Sequence, residues 1–205
     1  MIFELCYIEA IIYLLGRLTL ANIYMVQHYM QASRLLSQYN CNFAYPLNVT
    51  LIIIMQSLNL PAYEVKLSNR NGQPAIYDFL RHCYLRLTPE EWVRQHFTHY
   101  LVEHKGYPAA LLANEVTINV GGVARRCDSV LYHRTGGVPR VIIEYKAPHI
   151  AITQHVFQQI YAYNSVLRAD YLIVSNGIKH YCCHVNYQSM KVEYLQDIPD
   201  YTDLA

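Results

Sequence analysis

Residues 116–146 constrain the fold more than any other stretch of this chain. Val116, Ile118 and Val120 alternate with polar residues, then Gly121-Gly122 interrupts. Arg126–His133 follows, Thr135-Gly136-Gly137 interrupts again, and Val141–Lys146 completes the set. Alternation marks a strand with one buried face, and tight glycine turns join antiparallel neighbours. An antiparallel meander is expected, with Val141-Ile142-Ile143 in its most buried strand.

Helices are expected on either side of the meander. Thr88-Pro89-Glu90-Glu91 reads as a helix start: Thr88 caps, Pro89 suits the first helical position, and Glu91 completes a capping box. Val93, Phe97, Tyr100 and Leu101 then share a face, Gly106 ends the helix, and Pro108 prevents its continuation. After Pro148, Thr153 caps a second helix, with Val156, Ile160, Tyr163, Val166 and Leu167 as its buried side. Asp170–Ser175, an Asn176-Gly177 turn and His180–Tyr187 make a further strand pair. Upstream, Glu64–Leu67 and Ala75–Tyr77 flank Ser68–Gly72, whose Asn-Gly signals a hairpin. The expected class is α/β (α+β), a central mixed sheet with an antiparallel meander flanked by helices.

Residues 1–54 differ from the rest. They carry four charges, Glu4, Glu9, Arg17 and Arg34, out of 31 in the whole chain. A secretory leader needs a basic start, which Met1-Ile2-Phe3-Glu4 lacks. Glu9 and Arg17 interrupt the best candidate for a membrane span. Two other readings stand: an amphipathic helix using Ile11, Leu14, Leu15 and Leu18, or upstream sequence with translation starting at Met55. The domain expectation is an atypical segment 1–54, a hairpin extension 55–87 and the main domain 88–205.

Composition excludes some functions. Lys plus Arg number 16 against 15 Asp plus Glu, so neither a polybasic coat nor an acidic tail is present. Six cysteines without a Cys-x-x-Cys pair give no zinc spacing and suit a reducing cytoplasm. The histidines, including His96 and His99, also lack zinc spacing and read as surface or half-buried. No membrane partner is expected. The 20 tyrosines are mostly accounted for by core and strand packing.

The chemistry concentrates at Glu144-Tyr145-Lys146. Residues two apart on a strand share a face, so Glu144 and Lys146 project together with Ile142 behind them. Asp128 lies on the preceding strand, within reach of Glu144. Two close carboxylates repel and call for a counter-charge, for which Mg²⁺ is the first candidate and Mn²⁺ a substitute. Such an ion polarises a phosphodiester and activates a water, and Lys146 can orient that water or stabilise the transition state. Taken alone, Glu-x-Lys is more often a solvated salt bridge. A charged pair at the end of an apolar central strand is costly and raises the functional reading.

Asp128, Glu144-Tyr145-Lys146-Ala147-Pro148 and Gln159-Ile160-Tyr161-Ala162-Tyr163 together resemble the PD-(D/E)XK nuclease superfamily. More closely, the chain is similar to the type I restriction enzyme R-protein N-terminal domain family. Thr88–Gln95, Gly106-Tyr107-Pro108, Arg126-Cys127-Asp128 and Ser175-Asn176-Gly177 fit the same pattern, which runs from about Leu58 to Tyr201. The resemblance implies a restriction-endonuclease-like core acting on DNA. Asp128 and Glu144 would hold Mg²⁺, and Lys146 would serve the attacking water. Gln159 and Tyr163 would form the Gln-x-x-x-Tyr motif behind the site. The helical acid would be Glu90 or Glu91. Glu115 begins the first strand and reads either as a strand-edge surface acid or as a further acid near the metal. Arg125, Arg126, Arg134 and Arg140 are the candidate DNA-binding cations.

No Gly-x-x-x-x-Gly-Lys-Ser/Thr phosphate loop occurs in the 205 residues, so translocation by this chain alone is not expected. A stand-alone nuclease-fold domain in the cytoplasm is the expectation, with a protein partner or homodimer open. The alternative is a non-catalytic nucleic-acid-binding or scaffolding protein that keeps the fold.

Overall fold

The computed structural model describes residues 56–204, so the readings of residues 1–54 lie outside the described residues. Two sheets and two α-helices, with short 3-10 helices at Ala109–Leu111 and Tyr201–Asp203, make up the described residues. A small antiparallel sheet holds β1 (Leu67–Arg70), β2 (Gln73–Asp78) and β3 (Cys83–Arg86). Helix α1 (Pro89–Glu103) follows, then β4 (Leu112–Val120), β5 (Val123–Tyr132) and β6 (Pro139–Tyr145). After α2 (Gln154–Leu167) come β7 (Tyr171–Ser175), β8 (His180–Asn186) and β9 (Lys191–Leu195).

The six later strands form one sheet in sequence order, β4-β5-β6-β7-β8-β9. Every pair is antiparallel except β6–β7, which is parallel and joined through α2. The expected meander is therefore β4–β6, and the crossover makes the sheet mixed. Alternation along β6 divides the core. Val141, Ile143 and Tyr145 pack with Val93, Phe97 and Leu101 of α1. Ile142 packs on the other side with Val156, Ile160 and Tyr163 of α2. The sheet thus lies between its two helices, and β6 is buried on both faces.

The termini of α1 follow their local chemistry. Thr88 Oγ1 accepts the Glu91 N–H at 3.1 Å, and Pro89 occupies the first turn. The Glu91 carboxylate does not complete the capping box; it turns inward to Arg94 and Gln95. Thr153 stands at the N-cap of α2 but makes no side-chain capping bond. Gly177 has φ +79°, and a Cβ there would lie 2.7 Å from Leu58 Cδ2. The Asn59 N–H donates to the Gly177 carbonyl at 2.7 Å, so residues 58–59 lie directly on this turn.

Two strands escape the sequence pattern. β3 is four residues long and follows a turn at His82, whose φ of 52° sits on a residue that gives no glycine or asparagine signal. β9 is a mostly exposed edge strand in which Lys191 and Glu193 alternate with apolar residues, a composition that discourages further pairing. His96 is also more buried than its composition suggests: its Nδ1 lies 2.8 Å from the Trp92 carbonyl.

Candidate active site

The register of three strands sets the site. β4 pairs with β5 at Asn114↔Ser129 and Val116↔Cys127, and Glu115, with φ +56°, breaks the ladder opposite Asp128. β5 pairs with β6 up to Ser129↔Ile143, and the next step along the same register brings Asp128 opposite Glu144. Glu115, Asp128 and Glu144 therefore occupy neighbouring positions on three adjacent strands.

Asp128 is fixed from two directions. Its Oδ2 accepts the Tyr145 N–H at 2.8 Å, and its Oδ1 accepts from Arg94 Nη2 at 2.9 Å. Glu144 is 2% exposed and points to the α2 side. Its Oε1 accepts from Lys146 Nζ at 2.5 Å and from Gln159 Nε2 at 2.6 Å. Gln159 Nε2 also donates to the Tyr163 hydroxyl at 2.9 Å. Lys146 Nζ lies 3.3 Å from Gln159 Oε1. Glu144, Lys146, Gln159 and Tyr163 form one hydrogen-bonded group, with Asp128 on the adjoining strand.

The other oxygen of Glu144, Oε2, is buried and has no hydrogen-bond partner among the described residues. Leaving a buried carboxylate oxygen unpaired is costly. Burial first, and then the Asp128 charge, raise the Glu144 pKa to about 7 despite the opposing bond from Lys146. Burial favours a neutral Lys146, but the bond and charge of Glu144, with Asp128 and Glu90, outweigh it and leave that pKa raised. Burial and the Asp128 charge also raise Glu90.

The remaining acids belong to a second network on the α1 side. Arg94, 4% exposed, contacts Glu91 Oε2 at 2.6 Å and Glu115 Oε1 at 3.4 Å. Arg81 contacts Asp78 Oδ2 at 2.6 Å and Glu115 Oε2 at 2.7 Å. Asn114 Nδ2 donates to Asp78 Oδ2 at 3.1 Å and Ser129 Oγ to Asn114 Oδ1 at 2.6 Å. Glu91 and Glu115 are thus held by arginines, whereas Asp128 belongs to both groups. Arg94, Arg81 and Asp78 do not stand out as site residues in the sequence. The available signal is Arg94 in phase with Leu101, three and four residues from Glu91 and Glu90, on a face otherwise read as apolar.

The candidate DNA-binding arginines have different settings. Arg125 and Arg134 are exposed. Arg126 is exposed too, with Nη1 3.5 Å from Glu115 Oε1. Arg140 is used within the fold: its Nη2 donates to the Leu204 carbonyl and its guanidinium lies 5.6 Å from the Tyr201 ring centroid. Cys127 is no nucleophile candidate, because burial and the Glu144 charge push its thiol far up.

The groups available to a cation are limited. Among the described residues, no set of three or more His, Cys, Asp and Glu side chains converges as a ready-made metal cage. Asp128 and Glu144 are the pair that could hold one, with water or substrate oxygens completing the shell. Mg²⁺ commonly binds in that way, through one or two carboxylates.

A sheet between helices, with Glu-x-Lys ending a central strand and an aspartate on the next, is the arrangement of the PD-(D/E)XK nuclease superfamily. Residues 89–199 match the profile of the type I restriction enzyme R protein N terminus. The chain belongs to that family. A fragment described as a putative HsdR subunit of a type I restriction enzyme from Vibrio vulnificus YJ016 is similar, with a TM-score of 0.44 and 20% identity. That similarity covers 58% of this chain and 24% of the other, so this chain spans well under half of that relative. A search of curated proteins returned no match. Among the described residues, no helix is long and apolar enough to cross a membrane.

Proposed function

We propose that this chain is a metal-dependent endonuclease domain that hydrolyses DNA phosphodiester bonds through an activated water. The observation that carries the reading is Glu144. It is a buried carboxylate with one oxygen bound by Lys146 and Gln159 and the other unpartnered, next to Asp128. An isolated surface salt bridge would leave neither a buried unpartnered oxygen nor a raised carboxylate pKa.

Asp128 and Glu144 would hold Mg²⁺, with Mn²⁺ as a substitute. Bound there, the ion would polarise the phosphodiester and lower the pKa of a coordinated water. Lys146 acts as a charge and not as a base, because its raised pKa keeps it an ammonium at neutral pH. It donates to the attacking water or to a phosphate oxygen as charge develops. Gln159 holds Glu144 Oε1 while anchored to Tyr163, which fixes the carboxylate's orientation. Arg94 and the Tyr145 N–H do the same for Asp128. Arg125, Arg126 and Arg134 are exposed and would meet the DNA backbone, Arg126 from beside Glu115.

Cleavage of plasmid DNA with Mg²⁺ or Mn²⁺ tests this directly. Wild type should cleave, and Asp128→Ala should not. Lys146→Ala should fall by roughly 10²- to 10³-fold, the usual cost of losing one transition-state donor. Equal residual cleavage by all three would mark a contaminant and sink the proposal. DNA binding without cleavage would favour the scaffolding reading.

A further inference from the structure

The small sheet β1–β3 lies ahead of the segment matched to the family, which begins at residue 89. Its register sorts its side chains cleanly. Leu67↔Ile76↔Leu85 and Asp78↔Cys83 lie on one face. That face includes the buried Ile76 and Asp78, and Asp78 is tied to Arg81 and Asn114. Ser68↔Ala75↔Arg86, Arg70↔Gln73 and Tyr77↔Tyr84 lie on the other. The Tyr77 N–H donates to the Lys66 carbonyl at 2.9 Å, which extends the pairing and adds Lys66 to this second face.

The second face therefore presents Lys66, Arg70 and Arg86, all exposed, with no acid among its paired residues. Glu64, exposed and two residues ahead of Lys66, precedes β1 and flanks the cations at one end of the face. Two of these cations, Lys66 and Arg70, lie over aromatic rings. Lys66 Nζ lies 5.8 Å from the Tyr77 ring centroid and the Arg70 guanidinium 5.1 Å from that of Tyr84. The two rings meet edge to face at 5.2 Å. Ala75, the small residue of the middle strand between Arg86 and Ser68, is itself 2% exposed. Cation–π contact restricts otherwise flexible stems, so less freedom is lost when the charges meet an anion.

We infer that this outer face is a second contact surface for the phosphate backbone of duplex DNA, separate from the Asp128–Glu144 site. Three exposed cations, two of them held over tyrosine rings, complement a polyanion. The rings are occupied by the cations and are not free to stack on bases, which favours backbone contact over single-strand stacking. The inference rests on the DNA-directed reading above and adds to it where part of the affinity resides.

The test uses the full-length chain, a labelled duplex of about 30 base pairs and EDTA, so that binding is read without cleavage. Fluorescence anisotropy is followed between 50 and 200 mM salt, the range over which phosphate contacts are most visible. Each lost phosphate contact lowers the slope of log K against log salt by about 0.9. The variant Lys66→Gln/Arg70→Gln/Arg86→Gln should therefore bind more weakly, with a slope smaller by roughly 2 to 3. Arg70→Lys/Arg86→Lys, which keeps the charges, should retain most of the slope. Thermal melting should match wild type, since all three side chains are exposed. An unchanged affinity and slope in the triple variant would overturn the inference, as would an equal loss in the charge-keeping variant. Failure of the nuclease reading is seen separately, as absent cleavage in wild type whose DNA binding still depends on these three residues.

Discussion

Glu144→Gln should make the metal-free protein more stable and catalytically dead. Burial and the Asp128 charge raise the Glu144 pKa from an ordinary 4.5 to about 7. The folded protein therefore holds a proton that the unfolded chain releases. Stability from this group is fullest below about 4.5, falls as pH rises towards 7, and is flat above it. A tenfold change in proton affinity corresponds to about 1.4 kcal/mol, so ionising Glu144 in the fold costs on the order of 3 kcal/mol. A glutamine keeps an acceptor for Lys146 and Gln159 but never carries the charge.

Urea denaturation in EDTA across pH 5 to 8 measures the effect. The variant's advantage over wild type should widen with pH across that range and reach roughly 2 to 3 kcal/mol at its upper end, or about 5–10 °C in Tm for a domain of this size. Excess Mg²⁺ should narrow the gap, because an ion that binds only the native carboxylate pair stabilises wild type by mass action. Parallel pH profiles for the two proteins would refute the assignment of Glu144 as the strained, proton-binding carboxylate.

Two further substitutions probe the surrounding structure. Arg94→Met should destabilise by roughly 3 to 5 kcal/mol, since it leaves Glu91 and Asp128 without their buried partner; a urea midpoint near wild type would mean that these acids do not need the arginine. Gly177→Ala should cost roughly 1 to 3 kcal/mol, from a left-handed backbone and from the clash with Leu58. Adding Leu58→Ala should relieve only the clash component, which a double-mutant cycle separates from the backbone component.

The sequence exposed the parts of this protein whose physics is local. Glycine turns, alternation and the Thr88-Pro89 cap locate β4–β6 and α1 to within a few residues, because each depends on neighbours in the chain. Glu144 and Lys146 were legible for the same reason: strand alternation alone puts them on one face. What stayed hidden depends on partners distant in sequence. Arg94 looks like an ordinary helix-surface cation until the fold brings Glu115 and Asp128, 21 and 34 residues away, against it. Glu91 is redirected as well, here by Arg94 and Gln95 of its own helix once burial turns them inward. Its position fits a capping box, but the stronger demand of a buried guanidinium draws its carboxylate inward. Asp128 then acquires two tasks, anchoring Arg94 through Oδ1 and, under the proposed function, sharing a cation with Glu144. Each carboxylate oxygen has lone pairs enough for both. The arginine network therefore holds Asp128 beside Glu144, and under the proposed function the site would need that mount as well as Asp128, Glu144 and Lys146.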